Sequence, residues 1–370
     1  MSAIAAVAGV ARSDTLEALL GAVRSFTARE VDPRAASWDA AEALAPGLAA
    51  QAAELGLLGV SAPEADGGLG AGLFGAAWVI EAVAASSGTL AVLLALHEAA
   101  AVGLALALPG AQARGAAMAA ATTGLSQLSG WIGPQHGLVH AQVGDALALR
   151  GRVGMAVAAS APLVLASRGA QGDALHRAVP GAAAQPRAAH GLRGAGWARL
   201  ELDLPLAPEA TWLVGDAASA AIVRIQARVA TLVAAVGCGL ARAAVSQAAA
   251  YAKQREQFGA PIASFQAIQW KLADGMTRRD AAWLLTLAAA DACDRGSSSA
   301  MAAAARAQLA AHRAAATASS DALQIHGGYG YTCEFPIERM YRDARALPSV
   351  DADEVALREA IGTAIAQRFA

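Results

Sequence analysis

Arg255 stands directly before the segment Glu256-Gln-Phe-Gly-Ala-Pro261, where Gly259 and Pro261 interrupt a long helical pattern. A guanidinium at a helix end offers forked donors that match the oxygens of a phosphate. About seventy residues on, His326-Gly-Gly-Tyr-Gly330 breaks a second helical run. Glycines lack Cβ, so their backbone amides can approach an anion closely. A plainer account pairs Arg255 with Glu256 and makes the glycines an ordinary helix-helix turn. His326 reads as a packed or capping histidine and is given no chemistry. A third cluster, Asp351, Asp353 and Glu354, puts three acids in four positions, which suits the solvated start of a helix.

These residues need elements to hold them. From Ser13 to about Gly124 apolar residues recur at helical spacing, as in Leu16, Leu19, Leu20, Val23 and Phe26, and again in Leu44, Leu48, Ala52 and Leu55. The Pro- and Gly-rich stretch from Glu54 to Gly70 reads as a loop. Between about Leu125 and Asp216 short alternating runs replace the helical period, for example Leu163-Val-Leu-Ala-Ser167 and Leu200-Glu-Leu-Asp-Leu204. From Ala217 the helical pattern returns, broken at 259–261, 296–299 and 327–330. The expected fold is therefore mostly α with a small central β domain: helical 1–124, β 125–216 and shortened, and a helical bundle 217–370.

Tyr251 to Asp274 and Ala322 to Ala344 closely resemble, in order, the two signatures of the acyl-CoA dehydrogenase family, flavoenzymes that desaturate acyl thioesters. The loop Glu54 to Gly70 resembles a third family segment, so the resemblance spans essentially the whole chain. It implies an N-terminal helical domain, a middle β-barrel-like domain and a C-terminal four-helix bundle. It also implies FAD, with Arg255 on the pyrophosphate and Gln257, Phe258, Ile262, Phe265 and Gln266 along the adenosine half. Gln324, Gly327 and Gly328 would meet that half from a neighbouring subunit, which implies a homodimer or homotetramer.

The family's catalytic side is less well kept. Desaturation needs a carboxylate to take the α-proton while the β-hydride leaves. Aligned on Tyr341-Arg-Asp-Ala344, the family's base falls on Asp351, with Glu354 the alternative if the register slips; Asp is shorter than Glu by one methylene, about 1.5 Å of reach. The alternative base position of some relatives falls on Val229. The Asp and Arg that help hold the CoA thioester fall on Ala227 and Ala230, with Arg228 nearby. The Trp and Thr that cover the flavin ring have become Met155 and Val157, leaving Ser126, Ser129 or Trp131 as replacements. Arg168 to Arg193 is short for two full strands.

Composition narrows the alternatives. A net charge of −2 without a basic run gives no electrostatic grip on nucleic acid. Cys238, Cys293 and Cys333 lack metal spacing, so no metal is expected, and they fit buried thiols in a reducing compartment. Ala82 to Leu108 carries His97 and Glu98 and reads as a core helix hairpin, not a membrane span. Met1 to Val10 has no basic region before its apolar run, so a cytoplasmic protein is expected. The implied activity is FAD-dependent α,β-desaturation of an acyl-CoA or acyl-carrier thioester, with electrons passed to an electron-transfer flavoprotein. Two other readings stay open: a catalytically degenerate subunit sharing an FAD site in a hetero-oligomer with a homologous subunit, and an elimination that dispenses with the base.

Overall fold

The structure, a computed structural model, describes residues 14–123, 128–143, 146–159 and 161–368. Ser126 and the stretch Met1 to Val10 lie outside them. Helix α1 (Asp14–Phe26) forms on the spacing of Leu16, Leu20, Val23 and Phe26, all buried. It is followed by α2 (Ala35–Ala41) and α3 (Leu48–Glu54). After the Pro- and Gly-rich loop, α4 (Gly72–Ala84) is started by a distant group: Asp294 accepts the Leu73 and Phe74 amides at 2.7 and 3.0 Å.

The greasy region turns at Ser86-Ser87, where Ser87 caps α5 (Gly88–His97) through the Leu90 amide. Beyond that point it is one continuous helix and not a hairpin, running through a π-turn at Glu98–Val102 into α6 (Gly103–Ala107). Helix α7 (Ala111–Thr122) completes this layer. Gly88–Ala107 is long and apolar enough to cross a membrane, yet 89% of its apolar window is buried inside the protein.

The middle region is one eight-stranded mixed sheet: β1 (Gly130–Ile132), β2 (Val139–Val143), β3 (Ala146–Ala156), β4 (Leu163–Gly169), β5 (Gly172–Ala178), β6 (Ala184–Pro186), β7 (Ala198–Leu206) and β8 (Thr211–Val214). The strand order is β6-β7-β3-β2-β4-β5-β8, with β1 added parallel to β4. Between Arg168 and Arg193 the chain forms one full strand, β5, and only the three-residue β6. Leu149, Val153, Leu163, Leu165, Leu200 and Leu202 fill one face, alternating as strand geometry requires.

The C-terminal bundle is built on α8 (Gly215–Gln254), a 40-residue helix. Packed on it are α9 (Gln266–Asp294) and α10 (Ala300–His326), followed by α11 (Ile337–Ala346) and α12 (Glu354–Arg368). Alanine dominates the buried faces, so the helices approach closely: a Cβ on Gly239 would lie 2.4 Å from the Glu81 carbonyl oxygen of α4. Of the three thiols, Cys238 is buried and Cys293 half-buried, but Cys333 is exposed, because it falls in the open turn after the glycines.

Two polar clamps fix the layers to one another. Glu81 of α4, 5% exposed at its side chain, accepts Arg242 of α8 at 2.6 and 3.0 Å and also pairs with Arg279 of α9. Arg342 of α11 donates to both oxygens of Asp39 at 3.1 and 2.6 Å, to Glu338 and to the His190 carbonyl. Its neighbour Asp343, buried, accepts the Leu192 amide at 2.6 Å. The Arg-Asp pair of the second signature thus ties the middle sheet and the N-terminal helices to the bundle.

Candidate functional site

Helix α8 ends at Arg255, whose backbone is extended and whose amide closes onto the Tyr251 carbonyl. The chain then makes a two-residue hairpin: Gln257 pairs with Ala260 and Glu256 with Pro261, leaving Phe258 and Gly259 at the tip with φ of 54° and 79°. Positive φ at both positions matches the right-handed twist of such hairpins. It is unusual for a phenylalanine, and this ring is 96% exposed. The Ile262 amide returns to the Arg255 carbonyl at 2.8 Å and closes the loop.

Opposite the hairpin, α10 ends at Gly327, whose φ of 59° lets the chain turn. No atom lies within 4 Å of the Cβ positions that Gly327 and Gly328 lack, so their backbone faces open space. Between the two elements is a cleft of about 480 Å³ lined by Tyr251, Arg255, Gln257, Ile262, Ile325, His326, Gly327, Gly328, Tyr329 and Thr332. Five of the nine nucleotide-binding candidates therefore come together: Arg255, Gln257, Ile262, Gly327 and Gly328. Phe258, Phe265, Gln266 and Gln324 lie outside the lining, with Phe258 and Phe265 in edge contact at 6.2 Å.

The glycine turn was expected to meet Arg255 only across a subunit boundary. It faces Arg255 within the same chain, because α8 and α10 run side by side and end together. Among the described residues no acid pairs with Arg255, which leaves its donors for a ligand. His326 is a packing residue here: its ring stacks on Tyr251 at 4.3 Å and its Nδ1 donates to the Ala322 carbonyl at 2.8 Å. Burial lowers its pKa.

The carboxylates lie at the other end of α8. Asp351, half-buried, has Oδ1 2.7 Å from Gln226 Nε2 of α8 and Oδ2 3.4 Å from Gln308 Nε2 of α10. Its backbone carbonyl accepts Gln135 Nε2 from the turn between β1 and β2 at 3.2 Å. Trp131 of β1 donates its indole N–H to Gln226 Oε1 at 3.0 Å. Burial pushes the Asp351 carboxyl up to about 6, although the glutamine amides favour its charged form. Glu354 sits elsewhere: it is exposed at the start of α12 and pairs with Arg313 and with Arg358. It has the surroundings of a solvated helix start, and the register places Asp351, not Glu354, among polar groups of the interior.

The remaining positions are also defined. Val229, Ala227 and Ala230 are buried and apolar. Arg228 donates to Ser61 Oγ and to the Glu98 carbonyl, and it lines a cleft of about 430 Å³ with Ser61, Ala227, Cys293 and Asp294. Glu98, in the π-turn and 1% exposed, accepts the Ser61 amide at 2.9 Å. Met155 is exposed and Val157 buried. Ser129, fully buried, donates its amide to His97 Nδ1 at 3.0 Å, so the ring proton of His97 is on Nε2, facing the Ala121 carbonyl. Burial lowers His97 to about 4 and keeps it neutral.

Gln135, Gln226, Gln308, Ser61 and Glu98 carried no motif. The one available signal was an isolated glutamine on the inner stripe of an alanine-rich helix, as at Gln308, which is fully buried.

Comparison with known proteins identifies the family. "Acyl-CoA dehydrogenase, N-terminal domain" matches residues 13–117 and "Acyl-CoA dehydrogenase, C-terminal domain" matches residues 226–365. The chain belongs to the acyl-CoA dehydrogenase family, whose members are FAD-dependent oxidoreductases. It is 40% identical over 199 residues to the 3-sulfinopropanoyl-CoA desulfinase of Paraburkholderia xenovorans, covering 52% of this chain and 50% of that protein. It is 44% identical over 113 residues to the caffeyl-CoA reductase-Etf complex subunit CarC of Acetobacterium woodii, covering 30% of each. The matched stretches thus span half or less of these relatives. The fold alone is shared with butyryl-CoA dehydrogenase from Megasphaera elsdenii, at 22% identity and a TM-score of 0.85, covering 96% of this chain and 99% of that one.

Proposed function

We propose that this protein is an FAD-dependent dehydrogenase that desaturates an acyl thioester between its α and β carbons. The observation that carries this reading is Asp351: a half-buried carboxylate, held by amides and raised to about 6, in register with the family's base. A base with that proton affinity is mostly ionised at neutral pH yet basic enough to accept a proton from a thioester-activated carbon.

The cleft fits the phosphates of a dinucleotide. Arg255 would hold the pyrophosphate with unpaired donors, and the Gly327 and Gly328 backbone would approach it without a Cβ in the way. When bound, the flavin supplies the acceptor for the β-hydride. Asp351 takes the α-proton, so the two hydrogens leave to different acceptors and the carbon–carbon double bond forms between the carbons they left. Gln226 and Gln308 orient the carboxylate, and Trp131 closes the wall behind Gln226.

One chain does not complete this site. Gln226 and the end of α8 at Gln254 are 28 positions apart, about 42 Å along the helix, beyond the span of one dinucleotide. A flavin held by one chain's Arg255 therefore serves the Asp351 of another chain, and a dimer is the smallest active unit. Phe258, Trp270 and Tyr331, at 96%, 64% and 95% exposure, offer the aromatic surface such a contact would cover. The two electrons taken from the substrate would pass to an electron-transfer flavoprotein, in keeping with the relative that is a subunit of an Etf complex.

The test is an anaerobic titration of purified protein with acyl-CoA substrates and acyl-carrier thioesters, with FAD content and mass measured on the same sample. The reading expects a yellow homo-oligomer whose flavin bleaches with a suitable thioester. Flavin that appears only on co-expression with a homologous subunit would replace it with the shared-site reading. Thioester turnover without bleaching would replace it with an elimination.

A further inference from the structure

The orientation of the Gln226 amide follows from its neighbours alone. An indole N–H only donates, so the Gln226 atom 3.0 Å from Trp131 Nε1 is the carbonyl oxygen Oε1. The amide nitrogen must then face Asp351 Oδ1 at 2.7 Å, and it too can only donate. Oδ1 is thereby required to be an acceptor, and a proton there would meet an N–H. Oδ2 is different. Among the described residues it is met by Gln308 Nε2 at 3.4 Å, at the limit of a hydrogen bond, and Gln308 Oε1 is buried with no partner among them. A half-turn of that amide would present Oε1 to a protonated Oδ2.

We propose that Trp131 and Gln226 are positioning residues that hold Asp351 Oδ1 as an obligate acceptor, so that a proton taken up by Asp351 resides on Oδ2, with Gln308 adapting to it. The catalytic meaning of this rests on the reading of Asp351 as the base; the positioning itself does not. In that reading the α-proton moves to Oδ2, the electron pair of the broken α C–H bond becomes the new carbon–carbon double bond, and the β-hydride would go to the bound flavin as its acceptor.

The ionisable groups on the elements packed around Asp351 are few. His136 stands on the β1–β2 turn and Arg224 and Arg228 on α8. His312 and Arg313 lie on α10, and Asp353 and Glu354 follow in the chain. Arg228 is taken by Ser61, Arg313 by Glu354, and Asp353 caps the Ala356 amide. Among the described residues, only glutamine amides bond to Asp351.

The experiment compares Gln226→Leu and Trp131→Phe with the unmodified holoenzyme in two readouts. The first is the pH dependence of kcat/KM. The second, on substrate-free protein, is infrared titration of the Asp351 carboxyl, isolated by subtracting Asp351→Asn. Losing the Gln226 donor should raise the Asp351 titration by about one pH unit. Trp131→Phe frees the amide to turn and should raise it by less, with normal folding and flavin content. A merely structural role would change thermal stability while leaving both titrations in place, and that result overturns the proposal. Titrations that shift in both variants while Asp351→Asn bleaches its flavin at full rate would uphold the positioning and overturn the base reading instead.

Discussion

At one end of α8, Arg255 and its neighbours through Ile262 are contiguous in the chain, and a single turn of glycines completes the cleft. At the other end, Asp351 gathers Gln135, Gln226 and Gln308 from three separate elements, one of them 216 positions away in sequence. The first site is exposed, and among the described residues no acid pairs with its Arg255; the second is half-buried and satisfies its carboxylate with neutral amides. A ligand's phosphates supply their own charge, so the cleft needs only donors and room. A base must be held by groups that do not neutralise it, and only packing brings such groups together.

The sharpest way to break this contrast is at Asp351. Asp351→Asn keeps size and removes the basic oxygen, so substrate-dependent flavin bleaching should slow by about two to four orders of magnitude in stopped-flow absorbance. Bleaching at the unmodified rate would leave the amide cage without a catalytic purpose.

At the clamp between α4, α8 and α9, Glu81→Ala removes the carboxylate shared by Arg242 and Arg279 and leaves Arg279, whose side chain is 6% exposed, with Asp280 alone. Removing one partner of such a pair should cost about 3–5 kcal/mol in denaturant unfolding, while Asp351's pH limb stays put in the protein that remains folded. Coupled movement of that limb would mean that the site depends on the clamp between layers.

Arg255→Gln removes the charge and most of the donors at the cleft. FAD affinity should fall about 10- to 100-fold, read by absorbance after dialysis, with the Asp351 titration unaltered. Retention of flavin through dialysis would show that the cleft is not where the pyrophosphate is held.

The smallest effect concerns stability. The folded Asp351 carboxyl is raised to about 6, above its ordinary value. Its neutral form is therefore the one folding favours, and stability is lost as pH rises through that range. Asp351→Asn should accordingly match the unmodified protein near pH 4 and exceed it by about 1–2 kcal/mol at pH 8 in chemical denaturation. Kinetically, the same value predicts that kcat/KM falls as pH drops below about 6, because the protonated carboxyl cannot act as base.

How much was legible beforehand differs between the two ends. Arg255, Gln257, Gly327 and Gly328 were readable because turn chemistry is local: a Gly-Pro break and a glycine cluster mark helix ends by backbone conformation alone. Asp351 was found only by register from Tyr341-Arg-Asp-Ala344, and Glu354 could not be set aside until the structure put it in solvent with Arg313. Gln226 and Gln308 were invisible, since a glutamine within a helix has no pattern of its own. The greasy segment, expected as a helix hairpin, runs as one helix after Ser87, and His97 and Glu98 within it each find a buried partner.

The sequence by itself determined the succession of helices, strands and helices, because periodicity and turn residues act over a few positions, and its resemblance to two signatures pointed to the family. The tertiary structure alone decided that Arg255 and the glycine turn face one cleft within one chain and that Asp351 is caged by amides. It also put the cleft and Asp351's amides about 42 Å apart along α8. Those are consequences of how helices pack side by side, and side-chain partners hundreds of positions apart leave no trace in local spacing.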